Sequence, residues 1–190
     1  MDVQFLKQFI LHPFTTGSIV PSSESLATLI TDAAELGKKQ DVVEFGSGTG
    51  AFTEKILQKI NKHTTFFALE TNPYFAKETE ERCPAATVYC DSAVNARKYF
   101  QKYDIKQCDC IISGLPWASF SRDIQDTLLD TITTVLKPDG MFLSFAYLHG
   151  LLLPSGQRFK KNLHERFRDV TTTDIVWQNI PPAFVYIARK

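Results

Sequence analysis

Three glycines in alternate positions separate a hydrophobic run from a helical pattern in the segment VVEFGSGTG, residues 42–50. Gly46, Gly48 and Gly50 allow a tight turn and a close approach between backbone and ligand, and the start of a helix offers N–H groups. Glu70 follows Gly50 by 20 residues, at the end of the next hydrophobic run. This spacing is typical of an acid that binds a ribose diol. The pattern predicts a nucleotide site, and the alternative for Glu70 is a surface acid that caps a helix.

These residues belong to a chain in which strand and helix patterns alternate. The predicted strands are short apolar runs at 41–46, 64–70, 86–90, 108–113 and 141–148, and then at 174–178 and 183–189 as an antiparallel hairpin. The predicted helices carry apolar residues at helical spacing and cover 52–60, 74–83, 92–103, 123–136 and 158–167. Such alternation builds a parallel sheet with helices on both faces. We therefore predict an α/β fold with a Rossmann-like, doubly wound, mostly parallel sheet whose last strand is antiparallel.

The first 40 residues precede the first predicted strand and contain two helical patterns, MDVQFLKQFIL and SESLATLITDAAEL. We expect them to cover the ligand-binding end of the sheet, within a single domain over 1–190 whose core is 41–190. The 21 basic and 21 acidic side chains balance, so only a local patch would attract nucleic acid. The sequence shows no secretory signal and no membrane-spanning run, and its four cysteines fit no zinc pattern. We expect a cytoplasmic protein with reduced cysteines.

A second candidate site is the segment ISGLPW, residues 112–117, which ends the fourth predicted strand. We refer to Ser113–Trp117 as the proline turn. Pro116 fixes its own φ and favours an extended conformation for the preceding residue, so this turn is rigid. The turn either places a tryptophan in the core or forms a substrate-binding edge.

The glycine spacing separates two classes of nucleotide site. A dinucleotide requires G-x-G-x-x-G, whereas this chain has G-x-G-x-G preceded by an acid. Over residues 41–190 the pattern resembles the class I S-adenosylmethionine-dependent methyltransferases, which have a seven-stranded sheet. The resemblance implies S-adenosylmethionine as cofactor, S-adenosylhomocysteine as product, and no metal. It also implies residues that line the methionine, ribose and adenine parts of the cofactor: Gly17, Ser18, Glu44, Gly46, Ser47, Gly48, Gly50, Glu70, Thr71, Asp91, Ser92 and Ser113.

Two branches of this family resemble the chain at the proline turn. Ribosomal RNA adenine dimethyltransferases carry Asn-Leu-Pro-Tyr there, but Gly114 replaces the Asn that would bind an adenine amine. Bacterial phospholipid N-methyltransferases carry Ser-Gly-Leu-Pro there, and they share three further segments: TGSIVPSSESLA at 16–27, SFAYLHG at 144–150 and NIPPAFVY at 179–186. The resemblance implies methylation of a phospholipid amine such as phosphatidylethanolamine. The alternatives are an adenine in RNA or DNA, a small-molecule amine, or a module that only binds the nucleotide.

On this resemblance the substrate-side residues are Ser113, Gly114, Leu115, Pro116, Trp117 and Tyr147. Backbone carbonyls of the proline turn would orient the neutral amine, and Tyr147 or His149 would accept its proton directly or through water. Trp117 either holds a methylated ammonium by cation–π attraction or packs beneath the turn.

Two segments are candidates for peripheral contact with the inner membrane surface. Residues 1–13 have one apolar face, and residues 158–168 carry five basic side chains. The alternatives are a helix docked on the core and a solvated helix face. The sequence leaves the oligomeric state open.

Overall fold

The computed structural model describes residues 23–190. Its sheet contains β1 (Asp41–Phe45), β2 (Thr65–Glu70), β3 (Val88–Cys90), β4 (Cys108–Ser113), β5 (Leu136–Tyr147), β6 (Asp169–Thr172) and β7 (Ala183–Arg189). Its α-helices are α1 (Glu24–Ala33), α2 (Ala51–Lys59), α3 (Pro73–Arg82), α4 (Ala96–Lys102), α5 (Arg122–Val135) and α6 (Pro154–Arg166). Helix α6 begins four residues before the predicted start, because Pro154 occupies its first turn.

The seven strands form one sheet in the order β3-β2-β1-β4-β5-β7-β6. Strands β1 to β5 are parallel, and β7 is antiparallel to both of its neighbours. The predicted Rossmann-like α/β fold is therefore confirmed. The strand order reverses between β1 and β4, and ligands of such sheets bind outside the carboxyl ends of the strands at that point. The loop after β1, residues 46–50, and the proline turn after β4 both begin there; we call the former the glycine loop.

Each face of the sheet carries its own apolar layer. One layer joins α4, α5 and α6 through residues such as Phe100, Leu129 and Phe159. The other layer joins α1 and α2 through residues such as Ile30 and Ile56. Parallel strands need cover on both faces, which explains why the central strands are almost entirely apolar.

Helix α1 lies beside α2 on one face of the sheet. Lys55 forms an ion pair with Glu24 at 2.8 Å, and Lys59 forms one with Asp32 at 2.7 Å. The described part of the first 40 residues therefore packs on one face of the sheet through α1, while Ser23 N–H donates to the Asn179 side chain at 3.0 Å. The predicted cover over the ligand-binding end stays a prediction. The helix predicted at the start of the chain lies outside the described residues.

The last hairpin differs from the prediction. Residues 174–178 form no strand, and only Val176 makes an isolated bridge, to Ala183. The partner of β7 is the polar segment Asp169–Thr172. Only Val170 of this edge strand packs against the core, so the strand needs no apolar alternation and its sequence carries no strand signal.

Among residues 23–190, no helix is long and apolar enough to cross a membrane. The same residues contain no cluster of His, Cys, Asp and Glu that would suit a metal ion. All four cysteines are free thiols.

Candidate functional site

The glycine loop leaves β1 in a left-handed backbone conformation. Gly46, Gly48 and Gly50 have φ of 78°, 54° and 82°, a region that side chains with a β-carbon rarely adopt. Gly46 N–H donates to the Leu69 carbonyl at 2.8 Å, so the loop starts as an extension of the sheet. Gly50 is the N-cap of α2. Gly50 N–H donates to the Ser47 carbonyl at 2.9 Å and Gly48 N–H donates to Glu70, so the N–H groups of all three glycines are bonded within the protein. The loop therefore brings its backbone to the carboxyl edge of the sheet.

Glu70 is held against the glycine loop from the neighbouring strand. Its Oε2 accepts the Gly48 N–H at 2.9 Å, and its Oε1 accepts the Asn72 N–H at 2.9 Å. Burial raises the pKa of Glu70, while these backbone hydrogen bonds lower it and offset part of that effect. The structure thus brings Glu70 to the loop as the spacing predicted. Thr71, the next residue, is exposed beside it.

Glu44 lies beneath the loop and is fully buried. Its Oε2 accepts a 2.6 Å hydrogen bond from the Thr53 hydroxyl of α2, but its Oε1 has no partner among residues 23–190. Burial is the main cause that raises the pKa of Glu44 to about 8; the hydrogen bond from Thr53 opposes this rise, and the nearby charge of Glu70 adds to it. Because this pKa keeps Glu44 protonated at neutral pH in the cofactor-free protein, an ammonium group near the unpartnered oxygen would favour the ionised form. S-adenosylmethionine carries such an ammonium.

Helix α3 supports the glycine loop from outside. The Thr79 hydroxyl donates to the Gly48 carbonyl at 2.8 Å and lies 3.1 Å from the Ser47 hydroxyl. Sequence reasoning missed both Thr79 and Thr53. The signal available was a threonine on the buried face of each flanking helix, which is too common a feature to be informative.

Asp91 is already occupied by donors of its own segment. Its carboxylate accepts the Ser92 N–H at 2.7 Å, the Asn95 amide at 2.8 Å and the Tyr99 hydroxyl at 2.8 Å, and it pairs with Lys98. Burial raises the pKa of Asp91, but these partners outweigh burial and hold the pKa well below its ordinary value. The adenine site at Asp91 and Ser92 stays a prediction, and an adenine amine would have to share this carboxylate with those donors.

The proline turn is organised around Ser113. The Ser113 hydroxyl accepts the Trp117 indole N–H at 3.1 Å and the Leu115 N–H at 3.3 Å. The Gln125 side chain of α5 donates to the Trp117 carbonyl at 2.8 Å. Ser113 thus orders the turn from the core side.

The proline turn and the glycine loop are in direct backbone contact. Gly114 N–H donates to the Phe45 carbonyl at 2.9 Å. A β-carbon at Gly114 would lie 2.3 Å from the Gly46 carbonyl oxygen, closer than real β-carbons approach any atom. A β-carbon at Gly46 would lie 2.8 Å from Leu115 Cδ2. The missing amide at Gly114 is therefore a steric requirement of this site.

The structure overturns the cation–π role for Trp117. Its side chain is 3% exposed, and its ring stacks on Phe159 at 4.4 Å between ring centroids. Phe142 and Phe120 contact it edge-on. The indole is enclosed by Phe159 of α6 and by the neighbouring aromatic rings, so neither of its faces is open to a substrate. Trp117 is a core residue that anchors the turn.

Tyr147 ends β5 on the opposite face of the sheet from Trp117. A row of aromatic rings leads to it: Phe52 meets Phe145 at 5.9 Å, and Phe145 meets Tyr147 at 5.3 Å. Phe52 also lies 3.9 Å from the position of a β-carbon on Gly114, so this row connects the proline turn with Tyr147. Burial raises the pKa of Tyr147, which keeps its phenol protonated at neutral pH. The exposed His149 stacks on Tyr147 at 5.6 Å. Gly17 and Ser18 lie outside the described residues.

The raised pKa of Glu44 predicts how the stability of the cofactor-free protein depends on pH. From pH 4.5 to about 8 the unfolded chain loses the Glu44 proton while the folded chain keeps it, so this contribution to stability decreases as the pH rises. The difference is on the order of 3 kcal/mol at pH 7. We expect Glu44→Gln to lose less thermal stability than the wild type between pH 5 and pH 8.5, measured by circular dichroism. Equal slopes for both proteins would contradict the assignment, since all other titrating groups are shared.

Comparisons with known proteins agree with this geometry. A family model described as a methyltransferase domain matches residues 42–140. A curated ornithine lipid N-methyltransferase from Singulisphaera acidiphila is 30% identical over 188 residues, which cover 97% of this chain and 94% of that protein. The chain therefore belongs to the class I S-adenosylmethionine-dependent methyltransferases, and it is an enzyme that uses S-adenosylmethionine.

Solved structures show the same fold. An O-methyltransferase from Bacillus cereus in complex with S-adenosylhomocysteine has a TM-score of 0.72 at 10% identity, covering 100% of this chain and 92% of that chain. The N-methyltransferase from Bradyrhizobium japonicum has a TM-score of 0.64 at 14% identity, covering 100% of this chain and 98% of that chain. Their low identity restricts this likeness to the fold.

Proposed function

We propose that the enzyme methylates the amine of a membrane lipid head group, with phosphatidylethanolamine as the first candidate acceptor. The observation that carries the proposal is the contact between Gly114 and Gly46. It leaves no room for the side-chain amide that would bind an adenine amine, so the acceptor must be held by backbone groups. The Singulisphaera acidiphila relative, which by its name methylates ornithine lipid, supports a lipid amine.

In this proposal the cofactor lies over the glycine loop. Glu70 accepts hydrogen bonds from the ribose, the unpartnered oxygen of Glu44 balances the ammonium of the methionine part, and Asp91 with Ser92 lies at the adenine. When bound, S-adenosylmethionine supplies an electrophilic methyl group on a positively charged sulfur. The protein's share of the acceleration is to align the amine with that methyl group and to exclude water.

The acceptor arrives as an ammonium and must lose its proton before it attacks. We assign the orientation of the resulting neutral amine to the backbone carbonyls of Ser113–Leu115. Because burial raises the pKa of Tyr147, the phenol is a hydrogen-bond donor at neutral pH and a poor base. The proton therefore leaves through water beside Tyr147 and the exposed His149. We place this activity in a single domain over residues 1–190, at the cytoplasmic face of the membrane.

The proposal is tested by radiolabelled methyl transfer from S-adenosylmethionine into separate acceptors. Vesicles with phosphatidylethanolamine, vesicles with ornithine lipid, unmodified RNA and free ethanolamine would be incubated in parallel at matched salt. We expect label in the lipid fraction, and the head group of the labelled lipid identifies the acceptor. Label in RNA alone, or in free ethanolamine alone, would overturn the lipid proposal.

A further inference from the structure

The large apolar side chains that residues 23–190 expose are confined to one edge of the sheet. They are Tyr74, Leu152, Leu153, Trp177 and Ile180. All five lie in segments that follow the carboxyl end of a strand. Tyr74 follows β2, Leu152 and Leu153 follow β5, and Trp177 and Ile180 follow β6. Strand β6 belongs with the others because it is antiparallel to β7, which is itself antiparallel to β5. This is the edge that carries the glycine loop and the proline turn.

Four of these side chains belong to adjacent segments, and we call Leu152, Leu153, Trp177 and Ile180 the apolar rim. The segments are joined where the Leu148 N–H donates to the Pro182 carbonyl at 2.9 Å. The rim also borders the proline turn, since Ser155 donates its hydroxyl to the Ala118 carbonyl. Tyr74 lies apart from the rim, at the start of α3 on the β2 half of the sheet.

The side chains of the apolar rim are strongly exposed although they are apolar. Leu152 is 81% exposed, Trp177 is 64% exposed and Ile180 is 74% exposed. Exposure of a cluster of leucine, isoleucine and tryptophan to water costs free energy. Such a cluster is typical of a surface that binds a membrane or another molecule. Tryptophan is the residue type enriched at membrane interfaces, where its ring is apolar and its N–H meets water.

Positive charge lies behind the rim on α6. An open depression of ≈ 580 Å³ is lined by Leu151, Gln157, Lys160, Lys161, His164 and Glu165. Helical side chains tilt toward the N-terminus of their helix, so these lysines lean toward the rim. Among the described residues Lys160 has no ion pair, and Lys161 pairs only with Glu165 at 3.6 Å.

Two of the three other basic side chains of this segment are already neutralised. Arg166 pairs with Asp126 at 3.1 Å and with Asp130 at 3.3 Å, and Arg168 pairs with Asp139 at 2.8 Å. The charges of Arg166 and Arg168 are therefore paired, whereas Lys160 and Lys161 lie next to the rim and can attract an anionic surface. Arg158 has no ion pair among the described residues, and its Nε–H donates to the Gln125 side chain at 3.5 Å.

We propose that the apolar rim docks on an anionic phospholipid bilayer, with Lys160 and Lys161 meeting phosphate groups and the proline turn facing the lipid head groups. The choice of a bilayer as occupant rests on the proposed lipid acceptor and on the complementary charge of the lysines. The docking would let a head-group amine reach the site without extraction of the whole lipid.

Tryptophan fluorescence of the full chain tests the proposal without turnover. Trp117 is buried and Trp177 is exposed, so a change in emission on adding vesicles reports on Trp177. With vesicles of phosphatidylcholine and phosphatidylglycerol we expect a blue shift, quenching by brominated acyl chains, and weaker binding at high salt. Trp177→Phe is expected to lose the optical signal and still sediment with vesicles. No blue shift, or equal binding to pure phosphatidylcholine vesicles, would overturn the proposal.

Matched variants locate the surface. Leu152→Asp combined with Ile180→Asp is expected to weaken vesicle binding by about tenfold or more, since two apolar side chains no longer leave water. Tyr74→Asp places one aspartate at the same edge, outside the rim, and should bind as the wild type does; the single variants Leu152→Asp and Ile180→Asp, which add the same charge as Tyr74→Asp, should each bind more weakly. An equal loss in both variants would contradict the assignment. A dimer in sedimentation that the double variant abolishes would instead identify a second copy of the chain as the occupant.

The two proposals fail in different ways. Methyl transfer to detergent-dispersed lipid without vesicle binding would overturn the docking surface and leave the lipid acceptor standing. Vesicle binding through the rim with no label in any lipid would overturn the acceptor and leave the docking surface standing.

Discussion

Gly114→Ala is expected to abolish methyl transfer and to weaken binding of S-adenosylhomocysteine by about a hundredfold or more. The reason is steric: the new β-carbon would lie 2.3 Å from the Gly46 carbonyl oxygen. Because that atom is backbone, it can move only if the glycine loop moves, and Gly46 already has a φ of 78°. A misplacement of about 1 Å at a reacting centre costs on the order of a hundredfold in rate. Calorimetry and radiolabelled transfer would measure the two effects.

Gly114→Asn tests the same backbone contact and also the alternative that the acceptor is an adenine. This variant restores the amide of the related adenine dimethyltransferases, yet we expect it to lose cofactor binding and to gain no activity on RNA. The matched control is Gly37→Ala, because a β-carbon at Gly37 has its nearest neighbour at 3.8 Å and the residue has no positive φ. An alanine variant at Gly114 that binds and turns over within twofold of the wild type would show that the contact is not needed.

Glu70→Ala is expected to lower the affinity for S-adenosylmethionine by about a hundredfold. A hydrogen bond to a charged group contributes about 1.5–3 kcal/mol, and Glu70 is positioned to make such bonds to a ribose. Its removal also frees the Gly48 and Asn72 N–H groups that now bind its carboxylate at 2.9 Å. The affinity would be measured by calorimetry, and the folded fraction by circular dichroism at the same temperature.

The control for this prediction is Glu81→Gln, on the exposed face of α3. Its side chain is 68% exposed and makes only a 3.5 Å ion pair with Lys77. Such surface pairs contribute about 0–1 kcal/mol, so neither stability nor binding should change measurably. A Glu70→Ala protein that is folded and binds S-adenosylmethionine within threefold of the wild type would exclude the ribose role.

The parts of the fold that the sequence predicted are those with strong local signals. Strand β1, the glycine loop and α2 follow one another as an apolar run, three glycines and a helical pattern, and each element forms where that pattern lies. Strand β6 had no such signal, since an exposed edge strand is not selected for apolar residues. The segment around Trp177 had an apparent strand signal instead; in the structure Val176 is buried and Ile175 packs against the core, and Trp177 lies at the surface.

The role of Trp117 shows a different limit. The sequence placed it at the end of a strand after a proline, which is consistent with both a binding edge and a core anchor. Only the packing of α6 decided between them, because Phe159, 42 residues later in the chain, covers the indole face. Likewise, whether an oxygen of Glu44 lacks a hydrogen-bond partner depends on the groups of α2 and β2 that surround it, and no local sequence pattern predicts those groups.

By itself, the sequence predicted a nucleotide site, because the glycine spacing and Glu70 lie on consecutive elements whose order sets their position at one edge of the sheet. The resemblance to the class I methyltransferases then implied the class of enzyme and its cofactor. The tertiary structure decided what the proline turn can hold. The sequence alone suggested that Gly114 lacks a substrate-binding amide. The fold shows that the backbones of Gly114 and Gly46 are in contact, so no side chain fits at this position. Contacts between segments 68 residues apart depend on how β1 and β4 pair, and that pairing is a property of the whole sheet.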